Sequence, residues 1–127
     1  MLKATAVLVL LFACISCNNH QDKIDKNALF QLTNSAETGI TFNNRVKDTK
    51  ELNIFNFRNF YNGAGVSIGD INNDGLPDIF FTANQGENKL YINNKNGAFT
   101  ESAALYGLDI SAYTTQVSFF DYDLSIY

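Results

Sequence analysis

The run Asp70-Ile71-Asn72-Asn73-Asp74-Gly75-Leu76-Pro77-Asp78 carries the clearest chemistry in the chain. Oxygen-bearing side chains stand at its first, third, fifth and ninth places, with a glycine at the sixth. A hard divalent cation takes about six to eight oxygens at short range, and acids at alternate places of a tight loop supply them from one piece of chain. Every second side chain of an extended segment points the same way, so Asp70, Asn72 and Asp74 converge. Gly75 takes the sharp turn that lets Asp78 close the ring, and Leu76 offers its backbone carbonyl. A hairpin turn that binds nothing can have this composition too. Three aspartates in so short a run repel one another without a cation, however, which favours a metal site. The expected cofactor is Ca²⁺, held by Asp70, Asn72, Asp74, the Leu76 carbonyl and Asp78.

The flanks decide what kind of calcium site this is. A helix–loop–helix sensor needs a bidentate Glu at its twelfth place. Phe81 stands there instead, and Pro77 falls where the exit helix would be settling. Before the loop, Val66-Ser67-Ile68-Gly69 alternates apolar and small residues. After it, Ile79-Phe80-Phe81-Thr82 is β-branched and aromatic. Both read as strands. Beyond a polar turn at Ala83-Asn84-Gln85-Gly86-Glu87-Asn88, Lys89-Leu90-Tyr91-Ile92 gives a third strand. Asn93-Asn94-Lys95-Asn96-Gly97 turns again, and Phe99-Thr100-Glu101 gives a fourth. Asn84, Gln85 and Asn88 are expected on an exposed turn, where their composition needs no ligand to explain it.

The stretch from Gly65 to Phe80 resembles one FG-GAP/VCBS repeat, the blade unit of integrin-α-type β-propellers. Residues 60–123 are similar to the bacterial VCBS-repeat proteins that often carry an ASPIC/UnbV domain downstream. The resemblance implies an all-β fold with a Ca²⁺ loop between the first two strands of each blade, and the same five ligands. A second copy follows: Val117-Ser118-Phe119-Phe120-Asp121-Tyr122-Asp123 matches Val66-Ser67-Ile68-Gly69-Asp70-Ile71-Asn72 at a blade-sized shift of 51 residues. The match then fails, because Leu124-Ser125-Ile126-Tyr127 does not continue the loop, so Asp121 and Asp123 are two ligands of an unfinished site. The expected architecture is an incomplete β-propeller after a signal peptide, with one four-stranded antiparallel blade and the start of a second. Strand edges bearing Phe80, Phe81, Tyr91 and Ile92 are expected to be exposed and open to pairing with another chain. A repeat of this kind cannot bury its apolar face alone. The chain therefore reads as the N-terminal piece of a longer exported protein, or as one that borrows blades from a partner.

The 127 residues carry a net charge of −4 and are 46% hydrophobic. That balance gives no basic face for nucleic acid. Residues 1–17 form a secretion signal, with Lys3 as a minimal positive region and an apolar run from Ala4 to Ile15 too short to span a bilayer. Ala13-Cys14-Ile15-Ser16-Cys17 resembles the lipobox of bacterial lipoproteins, with Cys17 as the lipidated residue and membrane attachment through that lipid. Cys14 stands where that motif usually has Leu, and is itself a second candidate. The expected location is the bacterial outer membrane or cell surface, or the periplasm without the lipid. With Cys17 lipidated, disulfides, thiol nucleophiles and zinc–thiolate sites are ruled out.

Residues 18–27 read as a flexible tether that holds His20, the sole histidine, as a solvated linker residue. That removes Ser–His and Cys–His chemistry. Residues 28–127 form the repeat region. In it Leu29-Phe30-Gln31-Leu32 has strand composition, and Leu52-Asn53-Ile54-Phe55-Asn56-Phe57-Arg58 alternates like a strand or an extended lead-in. The run from the strand at 29–32 through residues 35–42 weakly resembles residues 99–108, as an outer blade strand followed by the passage to the next blade. Gly63, Gly65 and Gly69 miss the dinucleotide spacing by one residue and precede an acidic loop, which excludes nucleotide binding. Outside the loop, Glu37, Asp48, Glu51, Glu87, Glu101 and Asp109 are scattered and make no tuned acid–base pair. The expected function is therefore a non-enzymatic, Ca²⁺-stabilised module that binds glycan or protein. The alternative is part of a propeller hydrolase or lyase whose catalytic residues lie in other blades.

Overall fold

The computed structural model of the chain describes residues 27–120. The signal peptide with Cys14 and Cys17, His20 in the tether, and the second acid pair Asp121 and Asp123 lie outside the described residues. The chain divides into two compact units, Met1–Leu32 and Thr33–Tyr127. The described part of the first, residues 27–32, has no regular structure. Leu29, Phe30 and Leu32 are all more than nine-tenths exposed, so their strand composition finds no ladder to join.

The second unit is built on one antiparallel sheet of β1 (Val66–Gly69), β2 (Asp78–Phe81), β3 (Lys89–Asn93) and β4 (Phe99–Glu101), in that spatial order. The expected blade is thus present, strand for strand. Consecutive strands pair as neighbours because each connection is a short polar turn. Gly75 and Gly97 take positive φ of 81° and 77° in two of these turns, a region that costs glycine nothing. Among the described residues the only helix is α1 (Ser35–Thr38), a single turn. Asn34 caps it by accepting from the Ala36 amide, and left-handed Gly39 ends it. The weak likeness between residues 35–42 and 99–108 is this shape: Ser102 to Leu108 makes a similar turn, with Gly107 at φ 68°.

Alternation along the strands assigns two faces. One carries Ser67, Phe80, Leu90 and Ile92. Here Phe80, Leu90 and Ala103 form the core, with Ile71, Ile92, Leu108, Val117 and Phe119 packed on it. The other carries Val66, Ile68, Ile79, Phe81 and Tyr91, as the pairings Val66 to Phe81, Ile68 to Ile79 and Ile79 to Tyr91 require. Residues 39–47 lie over the β2–β4 half of this second face. Phe42 stacks on Phe81 with ring centroids 4.9 Å apart, and the Thr41 amide donates to the Tyr91 hydroxyl at 3.2 Å. Gly39 sits so close to Phe99 that a Cβ there would be 2.4 Å from its carbonyl oxygen. Under this cover Phe80 and Tyr91 are buried and Phe81 and Ile92 half-buried, while Val66 and Ile68 at β1 stay exposed. This corrects the expectation that Phe80, Phe81, Tyr91 and Ile92 would be exposed.

Two other expectations are overturned by side-chain hydrogen bonds. Residues 52–58 form turns rather than a strand. Thr49 Oγ1 accepts from the Leu52 amide and Asn53 Oδ1 from the amides of Phe55 and Asn56. Such local bonds compete with ladder pairing. Asn84 and Asn88 are buried instead of lying on an exposed turn. Asn84 Nδ2 donates to the carbonyls of Gly63 and Thr114, its Oδ1 accepts from Asn44 Nδ2, and its backbone amide donates to Asn44 Oδ1. Asn88 Oδ1 accepts from the Ala83 amide. Beside them Gln85 pairs with the amide and carbonyl of Lys47. The turn is the junction where three distant segments meet. Asn84→Ala strands polar partners in a buried place and should cost about 2–3 kcal/mol, read as a lower urea midpoint with an unchanged m-value. A midpoint equal to wild type would show that the junction does not hold the segments.

Candidate metal centre

The loop between β1 and β2 brings three of the expected ligands together. Asp70 Oδ1 and Asn72 Oδ1 both accept from the Asp74 amide, at 3.1 and 3.2 Å. Two oxygens are thereby turned toward one point. Asp70 Oδ2 accepts from the Gly75 amide at 2.8 Å. The Asp74 carboxylate accepts from the Leu76 amide at 2.8 Å and from Asn72 Nδ2 at 3.1 Å. Asn73 at φ 60° and Gly75 at φ 81° supply the two left-handed residues that wrap the chain round these oxygens. Asp70, Asn72 and Asp74 are exposed and Leu76 is half-buried, so the open side of the loop faces solvent.

Asp78 stands apart. Its side chain is completely buried. One carboxylate oxygen accepts from the Ile71 amide at 2.8 Å, the other from the Asn93 amide at 2.8 Å. The first bond ties the loop entrance to its exit. The second ties that exit to the end of β3. A carboxylate acceptor makes such bonds shorter and about twice as strong as neutral ones. Asn93 adds a return bond from its side chain to the Pro77 carbonyl at 3.0 Å. Spacing alone marks Asp78 as an oxygen at the ninth place. Its use as a clamp between loop and sheet could not be read there, because Asn93 lies 15 residues on, at the far end of the next strand.

Among the described residues no group of three or more His, Cys, Asp or Glu side chains is gathered as a metal cluster. The arrangement instead groups two acids and an amide, with the third acid at the base of the loop. The donor chemistry suits a hard cation. Every side chain is an oxygen donor, and an sp² oxygen that accepts one hydrogen bond keeps a second lone pair.

A second feature lies on the face crossed by residues 39–47. There a cleft of about 510 Å³ is lined by Phe42, Arg45, Glu87, Lys89, Tyr91 and Glu101 among others. Lys89 Nζ lies 2.9 Å from Glu87 and 4.0 Å from Glu101. The bond to Glu87 raises the Lys89 pKa most, Glu101 adds to it and burial opposes it. Lys89 is therefore a charged partner of two carboxylates.

The clamp and the exposed candidate ligands can be separated by substitution. Asp78→Asn keeps the shape but turns an amide donor toward a buried backbone N–H. It should destabilise the chelated, calcium-free protein by about 2–3 kcal/mol. Asp70→Asn, exposed, should change calcium-free stability by less than about 1 kcal/mol. Equal effects of the two substitutions without calcium would remove the distinction.

Comparison with known proteins adds one finding. Residues 70–124 match the FG-GAP-like repeat family. The matched stretch starts at Asp70, runs through β2, β3 and β4, and ends at Leu124, just past the second copy of the first-strand sequence. No curated protein and no solved structure matches the chain. The four-stranded antiparallel sheet and the match agree: residues 70–124 are similar to an FG-GAP-like repeat.

Proposed function

We propose that this chain is a non-enzymatic, calcium-stabilised FG-GAP/VCBS-type β-propeller module, exported as a lipoprotein and used to bind glycan or protein. The observation that carries the calcium reading is the meeting of the Asp70 and Asn72 oxygens at the Asp74 amide. Asp70, Asn72, Asp74, the Leu76 carbonyl and Asp78 would hold the ion. Calcium would neutralise the clustered carboxylates and add stability by binding only the folded state. The ion has a structural part in this reading, since no helix pair flanks the loop to be opened by it.

The non-enzymatic reading is supported by how the acids are used. Glu87 and Glu101, which share the cleft, are engaged by Lys89. Glu101 also accepts from the Ala103 amide. The cleft's polar side chains beside Phe42 and Tyr91 suit a hydroxyl-rich or peptide ligand. The lipid anchor rests on Cys17 and the residues before it, with Cys14 as the other candidate, and implies a place on the outer membrane or cell surface.

Calorimetric titration of the chelated chain with Ca²⁺ tests the ligand set. Wild type should bind, and Asp74→Ala should weaken binding at least tenfold. At a calcium concentration about 100 times the dissociation constant the fold should gain about 2.7 kcal/mol. Undiminished affinity in Asp74→Ala would exclude the proposed ligands. In a lipoprotein-competent bacterium, labelled fatty acid should enter the protein and be lost in Cys17→Ser. Label kept in that variant would move the anchor to Cys14.

A further inference from the structure

We propose that the loop of residues 48–61 is a docking surface for an anionic lipid bilayer, the one that holds the chain's anchor. This rests on the lipoprotein reading above and is independent of calcium and of any ligand in the cleft.

The loop is built to hold an aromatic side chain outward. Its inner side carries Phe57, whose ring meets Tyr113 edge-on at 5.0 Å, and Phe60, which is fully buried. Its outer side carries Phe55, 95% exposed, with Ile54 and Tyr61 exposed as well. Side-chain hydrogen bonds fix this division. Asn53 Nδ2 donates to the Thr49 carbonyl at 2.8 Å, and Asn56 Nδ2 to the Glu51 carbonyl at 3.2 Å. Asn53 Oδ1 accepts from the Phe55 amide itself at 2.9 Å. The Tyr61 hydroxyl donates to Asp48 Oδ1 at 2.7 Å and closes the two ends of the loop. Phe55 is thus held out by a hydrogen-bonded frame and not by slack chain. The loop also precedes residues 70–124, so it is an addition to the repeat-like unit and no part of its strands. An apolar tip presented in this way marks a contact surface.

The charge around the tip identifies the partner. Arg45, Lys47, Lys50 and Arg58 put four of the chain's nine cations into residues 43–58, against two of its thirteen acids, so this segment is net +2 in a chain of net −4. All four are exposed, and among the described residues none of them makes an ion pair. The Lys50 carbonyl accepts from Asn56 Nδ2, which brings Lys50 beside the tip, and Arg58 follows Phe55 by three places. Of the two acids, Asp48 is already engaged by Tyr61. Cations around exposed aromatic rings suit the headgroup region of an anionic bilayer, where rings lodge at the interface and each cation adds attraction. The anchor supplies proximity. Thr33, the first residue of the second unit, lies sixteen residues after Cys17. That length reaches about 55 Å at most, so a lipid on Cys17 confines the unit to the neighbourhood of the bilayer and raises the loop's effective concentration there.

The chain has no tryptophan, so Phe55→Trp places a single fluorescent reporter at the tip. The full chain carrying Cys14→Ser is coupled through Cys17 to a maleimide lipid in vesicles, in chelated solution. On phosphatidylglycerol vesicles the emission should move to the blue, and on phosphatidylcholine vesicles it should stay where it is. Leu105→Trp, exposed but outside the loop, should respond to neither. Lys50→Gln and Arg58→Gln should each lower the ratio of docked to free reporter about fivefold, and raised salt should release it. No shift on phosphatidylglycerol, an equal shift on both lipids, an equal response from Leu105→Trp, or indifference to both charge variants overturns the proposal. So does Phe55-dependent dimerisation of the lipid-free chain in sedimentation, which would assign the tip to a second copy. Because the lipid is attached chemically, these outcomes judge the docking surface by itself, whereas a missing fatty-acid label in the cell strikes the anchor alone.

Discussion

A single buried carboxylate holds the loop between β1 and β2 in register with the sheet. Asp78 has no exposed surface, and its two oxygens accept one amide from the loop entrance and one from the end of β3. Removing a charge from water is costly unless hydrogen bonds replace the solvent, and here two backbone donors do so. The consequence reaches outward. With entrance and exit pinned, the intervening residues must turn within a short span. That turn presents Asp70, Asn72 and Asp74 to one another. The oxygens are gathered by the fold itself, and a cation would find a site whose shape is largely set beforehand.

Cover for the sheet comes from segments that are not strands. One face takes residues 103–119, which bring Ala103, Leu108, Val117 and Phe119 onto Phe80 and Leu90. The other takes residues 39–47, through Phe42 on Phe81 and the Thr41 bond to Tyr91. Asn84 binds both layers to the sheet, since Asn44 belongs to one covering segment and Thr114 to the other. A cluster of Phe57, Phe60, Tyr61 and Tyr113 joins the approach to β1 with the approach to the second copy, and the Tyr113 hydroxyl donates to the Phe60 carbonyl. A four-stranded antiparallel sheet is marginal if both faces are wet. These irregular segments are what make it a folded unit.

Period-two alternation and turn residues made the four strands legible, because hairpin neighbours need nothing beyond local sequence. The loop was legible for the same reason: its oxygens repeat at alternate places round a glycine. Interactions between residues 15 and 40 apart were not. The clamp on Asn93 and the amide pair of Asn44 with Asn84 look like ordinary loop polarity until the chain is folded. Residues 52–58 alternate convincingly, yet Asn53 and Thr49 bond their own backbone and end any strand there. Alternation was misleading where Asn and Thr could satisfy amides locally. The likeness between the runs ending at Gly39 and Gly107 was visible, but its meaning as one helical turn closed by left-handed glycine was not.

The claim on which the site depends is that Asp78 fixes the loop to the sheet whether or not an ion is bound. Amide hydrogen exchange in the chelated protein addresses it directly, at the two amides that Asp78 accepts from. Ile71 and Asn93 should exchange far more slowly than the exposed loop amide of Asn73, at rates close to those of the β2–β3 ladder. Exchange of Ile71 and Asn93 as fast as that of Asn73 would mean that the carboxylate holds nothing in place, and the account of the site would fail.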